Sequence, residues 1–329
     1  MNKVYLRNLH VLEYEHPMDR ILLDNVRAIP FLPKIIELLM TPMSMVKRLM
    51  KTGSHIKVSE RQYPTLYRML QEACAVLEMD VPHLYVCSDP AMNAYTSCPD
   101  DPIIVIYSYL LDMLEDDEIM FVLGHELAHI KSGHIVYKQL ALALINLPLG
   151  VLLTSVPGLS TIKAATIKAI KVALGAWSRA SEYTCDRGGY LACQNYEASC
   201  TALMKLAGYS RRFAHELSVD EFMKQAREFS GIDANAIGKI TKLYVDYLSV
   251  ERSHPWDVDR ARALMEFNDS GEYSQVLQRK TERIKIEAMN FDLQQQIDIE
   301  KCPNCGTIIF EEGRFCGICG KALKASEND

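Results

Sequence analysis

No long apolar run opens this chain. Its first twenty residues, MNKVYLRNLHVLEYEHPMDR, are interrupted by charge throughout, so they lack what a secretory signal requires and export is not expected. Basic charge is not in excess either. Against 36 Lys and Arg stand 42 Asp and Glu, a net charge of -6, which argues against a broad nucleic-acid footprint. Internal repeats and low-complexity tracts are absent. A disulfide framework is not expected in a chain without a signal. Six of the ten cysteines, Cys74, Cys87, Cys98, Cys185, Cys193 and Cys200, are scattered and read as small buried apolar residues. What remains is 329 residues with 49% hydrophobic content, enough for a full catalytic core and a small appendage.

Within FVLGHELAHIKSGH stand His125, Glu126 and His129 as HExxH. On a helix, residues four apart project from one face, so both imidazoles can reach one cation while Glu126 reaches the water that the cation binds. Neutral imidazoles suit zinc, and a carboxylate can take a proton from activated water and pass it to a leaving amine. A helix is expected here. Glu115, Asp116, Asp117 and Glu118 suit its N-terminus, and Ile119, Val122, Leu123, Leu127 and Ile130 supply an apolar stripe.

A catalytic zinc keeps three protein ligands and an open position, so a third ligand must come from elsewhere. The metzincin spacing is excluded because position 135 is Ile. His134 falls one residue short and is expected to pack or hydrogen-bond beside the site. The stretch SRASEYTCDR places Glu182 and Asp186 four apart, flanked by Arg179 and Arg187. One carboxylate could bind the metal while the other orients a ligand histidine; the alternative is a solvated helix face with i,i+4 charges.

HELAHIKSGH, the distant SEYTCDR, NAY within AMNAYTSC, and SHPWDVDR together resemble the metallopeptidase family of HtpX and the CAAX prenyl proteases, peptidase family forty-eight. The resemblance covers roughly residues 60 to 265. It implies His125, His129 and Glu182 as ligands of a catalytic zinc, Glu126 as general base and acid, and Asp186 behind a ligand histidine: a gluzincin. It further implies that Asn93, Ala94 and Tyr95 belong to an edge strand that holds extended substrate through main-chain hydrogen bonds, with Tyr95 where Phe is common. His254 would stand near the metal as an oxyanion donor. From residue type alone, Asn93 is equally a turn residue after Pro90, and His254 simply a histidine before a proline.

At the C-terminus, Cys302, Cys305, Cys316 and Cys319 form CPNCG and CGICG with ten residues between them. Each CxxC followed by Gly is a zinc knuckle, and two make a zinc ribbon whose four thiolates hold a structural zinc. Its surroundings mix acidic and basic residues, so no basic face for nucleic acid stands out and it is expected to dock a protein partner or to regulate.

The expected fold class is α+β, a mainly helical zincin-type core with a small sheet plus the ribbon. Short strands are expected near 83–87, 93–97 and 103–107, and the divisions are a lead segment 1–57, a peptidase domain 58–270, a charged helical linker 271–300 and the ribbon 301–329. Residues 139–162 carry no charge and are long enough for one membrane passage. However, His129 and Glu182 must meet on one side, and the return segment 163–178 contains Lys163, Lys168 and Lys171. A hairpin packed on the body, in an oligomer interface or lying on a membrane surface through 139–178 is therefore expected. The reading is a cytoplasmic zinc endopeptidase of peptide or protein substrates, with one catalytic and one structural zinc and no nucleic-acid partner. Its alternatives are a catalytically silent scaffold and a membrane-embedded prenyl protease.

Overall fold

The computed structural model of the protein describes residues 3–28, 36, 53–146, 164–231 and 255–279. The chain divides into two units, Met1–Lys280 and Thr281–Asp329. Of these, Thr281–Asp329, with the four ribbon cysteines and most of the expected linker, lies outside the described residues, as do residues 147–163 and His254.

The HExxH stretch lies on a helix for local reasons. Asp116–Lys131 is preceded by Glu115 as N-cap, and Glu115 and Glu118 form a reciprocal capping box. Three acidic residues in the first turn complement the positive end of the helix dipole. From Glu118 to His129 every residue is buried, so this is a central helix with neighbours all round rather than a surface helix with one apolar stripe.

In chain order the described helices are α1 (Pro17–Arg27), α2 (Pro64–Leu77), α3 (Ser108–Met113), α4 (Asp116–Lys131), α5 (His134–Asn146), α6 (Ala164–Cys193), α7 (Tyr196–Ala207), α8 (Val219–Gly231), α9 (Asp257–Asp269) and α10 (Glu272–Leu277). The four described strands are β1 (Ile56–Lys57), β2 (His83–Cys87), β3 (Ala94–Ser97) and β4 (Ile103–Tyr107), in spatial order β1-β2-β4-β3. β2 and β4 run parallel, while β1 and β3 pair antiparallel with them. The fold is thus α+β and mainly helical, with strands where β-branched and aromatic residues cluster between turns. One face of β4, Ile104 and Ile106, joins the main core with Leu70 and Leu77 of α2 and Phe121 and Leu127 of α4. The alternate residues Ile103 and Val105 join Tyr85 and Cys98 on the other face.

The ends of the first unit are also tied into this core. Leu6, Leu9 and Tyr14 are buried, and His16 N–H of the lead segment donates to Thr184 Oγ1 on α6 at 3.0 Å. Past residue 270, Val276 of α10 is fully buried and Tyr273 stacks on Tyr190 at 3.8 Å between centroids. Among the described residues no helix is long and apolar enough to cross a membrane.

Candidate metal centre and active site

The site exists because α4 and α6 approach very closely. A Cβ on Gly124 would come within 2.3 Å of Ala192 Cβ, one on Gly188 within 2.5 Å of Ala128 Cβ, and one on Gly189 within 2.6 Å of the Phe121 carbonyl oxygen. These are distances that real side chains do not occupy, so the two helices fit at this spacing only with small residues along the seam. Close approach brings the face that carries His125 and His129 directly against the face that carries Glu182 and Asp186.

The two imidazoles turn the same nitrogen toward one carboxylate. His125 Nε2 lies 3.3 Å from Glu182 Oε2, and His129 Nε2 lies 3.3 Å from Glu182 Oε1. Glu182 is 0% exposed, which excludes the solvated helix face. The flanking arginine Arg187 pairs with neither acid of the motif; it reaches Glu272 at 3.0 Å and lies over the Phe267 ring.

Behind His125, Nδ1 meets Asp186 Oδ1 at 2.9 Å. Arg260 of α9 grips the same carboxylate through Nε at 2.9 Å and Nη2 at 2.7 Å, and holds Asp257 through Nη1 at 3.1 Å. Burial favours a neutral Asp186, but Arg260 and His125 outweigh it and hold the carboxyl below its ordinary range. Burial likewise works against a charged His125, yet Asp186 and Glu182 push its pKa up to about 9. His129 goes the other way: burial, reinforced by the Lys138 ammonium, drives it well below the ordinary imidazole value.

Glu126 is 4% exposed, and burial raises its pKa above the usual glutamate range. The Thr96 hydroxyl, on the site-facing side of β3, donates to Glu126 Oε2. The chain's own cation also enters the site. Lys138 of α5 reaches Glu182 Oε1, and its ammonium lies 3.3 Å from His129 Nε2.

Two buried imidazole nitrogens and a fully desolvated carboxylate are a donor set suited to zinc, and a lysine ammonium drawn to the same atoms shows that the pocket favours positive charge. A second donor set overlaps this one, since ligating atoms of His125, His129 and Cys185 lie within 4.8 Å of one another. Cys185 Sγ, however, stands 3.1 Å from His129 Nδ1, on the far side of the ring from Glu182. Burial raises that thiol's pKa well above its usual value. The Nε2 atoms converge on Glu182, and we favour that set.

Beside His125 and Glu126 opens a cavity of about 310 Å³, lined by Met92, Asn93, Ala94, Phe121, Val122 and Leu206, with Asp257 and Arg260 at its edge. Asn93 and Ala94 are therefore at the site. The Tyr95 side chain is on the opposite face of the strand, edge-on to Tyr107 at 6.0 Å and packed with Tyr85 and Val105. His254 and the four ribbon cysteines lie outside the described residues. Sequence reasoning missed Thr96, Lys138, Asp257 and Arg260. Thr96 was within reach, since a strand that turns Ala94 to the site also turns the residue two further on.

Residues 60–268 match the sequence model of Peptidase family M48. The chain is similar to the plastoglobule-localized metallopeptidase 48, chloroplastic, of Arabidopsis thaliana, 33% identical over 284 residues, 85% of this chain and 79% of that one. It is also similar to the protease HtpX homolog of Streptococcus pneumoniae strain Hungary19A-6, 30% identical over 92 residues, 27% of this chain and 31% of that protein. No solved structure matches.

Proposed function

This chain belongs to peptidase family M48, whose metallopeptidases use zinc, and from that premise we propose a zinc-dependent endopeptidase in which His125, His129 and Glu182 hold the metal and Glu126 moves the proton. The observation that carries this reading is the convergence of His125 Nε2 and His129 Nε2 on the two oxygens of Glu182, 3.3 Å each, with Glu126 on the same helix. A zinc ion held by His125, His129 and Glu182 would supply a bound water with a pKa of about 7 and a Lewis acid for the substrate carbonyl. Glu126 takes a proton from the attacking water and returns it to the departing amide nitrogen. Its raised pKa suits both steps, and the Thr96 hydroxyl holds Oε2 in place so that Oε1 receives the proton. Asp186 orients His125 from behind, Arg260 keeps that carboxylate charged, and Asn93, Ala94 and the main chain of Tyr95 line the path of an extended peptide.

The remaining parts of the reading concern residues outside the described ones: His254 as an oxyanion donor, and Cys302, Cys305, Cys316 and Cys319 around a structural zinc that docks a protein partner. The name of the Arabidopsis relative places that protein at plastoglobules, which supports peripheral attachment of this chain to a lipid surface; attachment through residues 139–178 rests on the charge-free run 139–162 alone, and the cytoplasmic place on the charged opening of the chain. The scaffold alternative has no missing catalytic residue to recommend it. Replacing Glu126 with Gln tests the mechanism. The variant is expected to keep zinc, two ions per chain, while cleaving none of the peptides that the wild type cleaves in a proteome-derived library; unchanged cleavage would remove Glu126 from the role.

A further inference from the structure

We propose that His134 and Asp19 are positioning residues for the metal centre: Asp19 fixes the tautomer of His134, and His134 fixes that of His129, so that His129 presents a bare Nε2 to the ion. This rests on the zinc reading above and concerns residues that it does not use.

A neutral imidazole has one N–H and one lone pair. For His129 to offer Nε2 at the position 3.3 Å from Glu182 Oε1, its hydrogen must sit on Nδ1. Two acceptors are in reach of that atom, His134 Nδ1 at 3.2 Å and Cys185 Sγ at 3.1 Å, and sulfur is the weaker. His134 can accept through Nδ1 only if its own hydrogen is on Nε2. There Asp19 Oδ2 stands 3.1 Å away, off the straight line of an N–H bond. At that distance the negative charge of the carboxylate favours an N–H over a lone pair on Nε2. Asp19 is 0% exposed, and its other oxygen accepts from Trp177 Nε1–H at 2.8 Å. Burial favours neutralising that carboxyl, but His134, Thr184 and Trp177 hold its pKa below the ordinary value. The reverse arrangement would place the His129 hydrogen on Nε2, in the space meant for the metal.

The relay depends on two pieces of backbone. Gly133, at φ +68°, takes a left-handed conformation between α4 and α5, and the reversal folds His134 back beneath His129, ring centroids 5.4 Å apart. α1 then brings Asp19 against α6 from the lead segment. A carboxylate 110 positions before the ligand thus decides which nitrogen of that ligand is bare.

Zinc affinity of the full chain, measured by competition with a chromogenic chelator, tests this; the relevant ion is the one that Glu182→Gln loses. His134→Phe is expected to weaken that ion by about 10- to 100-fold. His134→Asn, whose Oδ1 replaces Nδ1 as acceptor, is expected to stay within about threefold. Asp19→Asn keeps its oxygen on the Trp177 donor and turns an amide N–H toward His134 Nε2. It should weaken zinc by about tenfold without loss of fold, and it covers the case in which His134→Phe does not fold. In the zinc-loaded protein, two-bond proton–nitrogen spectra should show His134 protonated at Nε2 in the wild type. Undiminished zinc affinity in His134→Phe or Asp19→Asn, or binding by His134→Asn as weak as that by His134→Phe, overturns the relay. If the wild type takes up no zinc at this site, the peptidase reading falls instead; zinc uptake with His134 protonated at Nδ1 overturns the relay alone.

Discussion

His125 and His129 sit one helical turn apart on α4, yet they are supported from behind by different chemistry. His125 leans on a charge directly: Asp186 at 2.9 Å, itself clamped by Arg260. His129 leans on a second imidazole and a thiol, and the nearest carboxylate behind that ring, Asp19, is one residue further away. The consequence is a split in proton affinity. Burial acts on both, but only on His125 is it overcome, to a pKa of about 9, while His129 is driven well below the ordinary value. In the proposed metal site, one histidine therefore holds a proton that a metal must displace, and the other is neutral beforehand.

The largest effect should come from Arg260→Ala. Losing one partner of a buried pair leaves Asp186 uncompensated, and unfolding in denaturant should show a loss of about 3–5 kcal/mol. A loss below about 1 kcal/mol would mean that Asp186 is balanced by His125 alone.

Proton release sharpens the comparison next. A folded-state pKa of about 9 for His125 lies above its unfolded value of about 6.5, so its stabilisation is complete below pH 6.5 and is lost as pH rises through 9. The zinc-stripped wild type should melt lower at pH 10 than at pH 6, and Asp186→Asn should flatten that difference. Zinc binding at pH 7.5, followed by calorimetry in buffers of different ionisation enthalpy, should expel the His125 proton in the wild type and less of it in Asp186→Asn. Equal release from both proteins would mean that His125 holds no extra proton.

Cys185→Ala should change least, because the thiol is a weak acceptor on the Nδ1 side of His129: zinc affinity should move by less than about threefold. A loss of the ion would promote Cys185 to ligand and dissolve the contrast between the two histidines.

The halves of the site differ in legibility for the same reason that they differ in chemistry. His125 and His129, and Glu182 and Asp186, lie at i and i+4 on two helices, and helical periodicity puts each pair on one face with Glu126 next to His125; the family resemblance then chose the carboxylates over a solvated face. The acidic run ahead of the motif marked the N-terminus of α4, and turn residues framed the strands. The partners that complete the site come from elsewhere in the chain. Thr96 is 30 positions from Glu126, Arg260 is 74 from Asp186, and Asp19 and Lys138 arrive on α1 and α5. Their roles are set by packing, which no local spacing encodes. The burial of α4 on all sides was hidden too, because its charged and polar members, Glu118, His125, Glu126 and His129, read as a polar face until their partners are in place.

The tight seam between α4 and α6 makes the proposed metal-binding triangle a gauge block. Phe121 offers a backbone oxygen, not a pliable side chain, at 2.6 Å from where a methyl on Gly189 would begin. Widening that gap even slightly would draw Glu182 away from both imidazoles together, so ion affinity is calibrated by hydrogen atoms at 124, 188 and 189 that never touch the ion. A search for variants with altered metal preference would therefore do well to begin at those three silent positions.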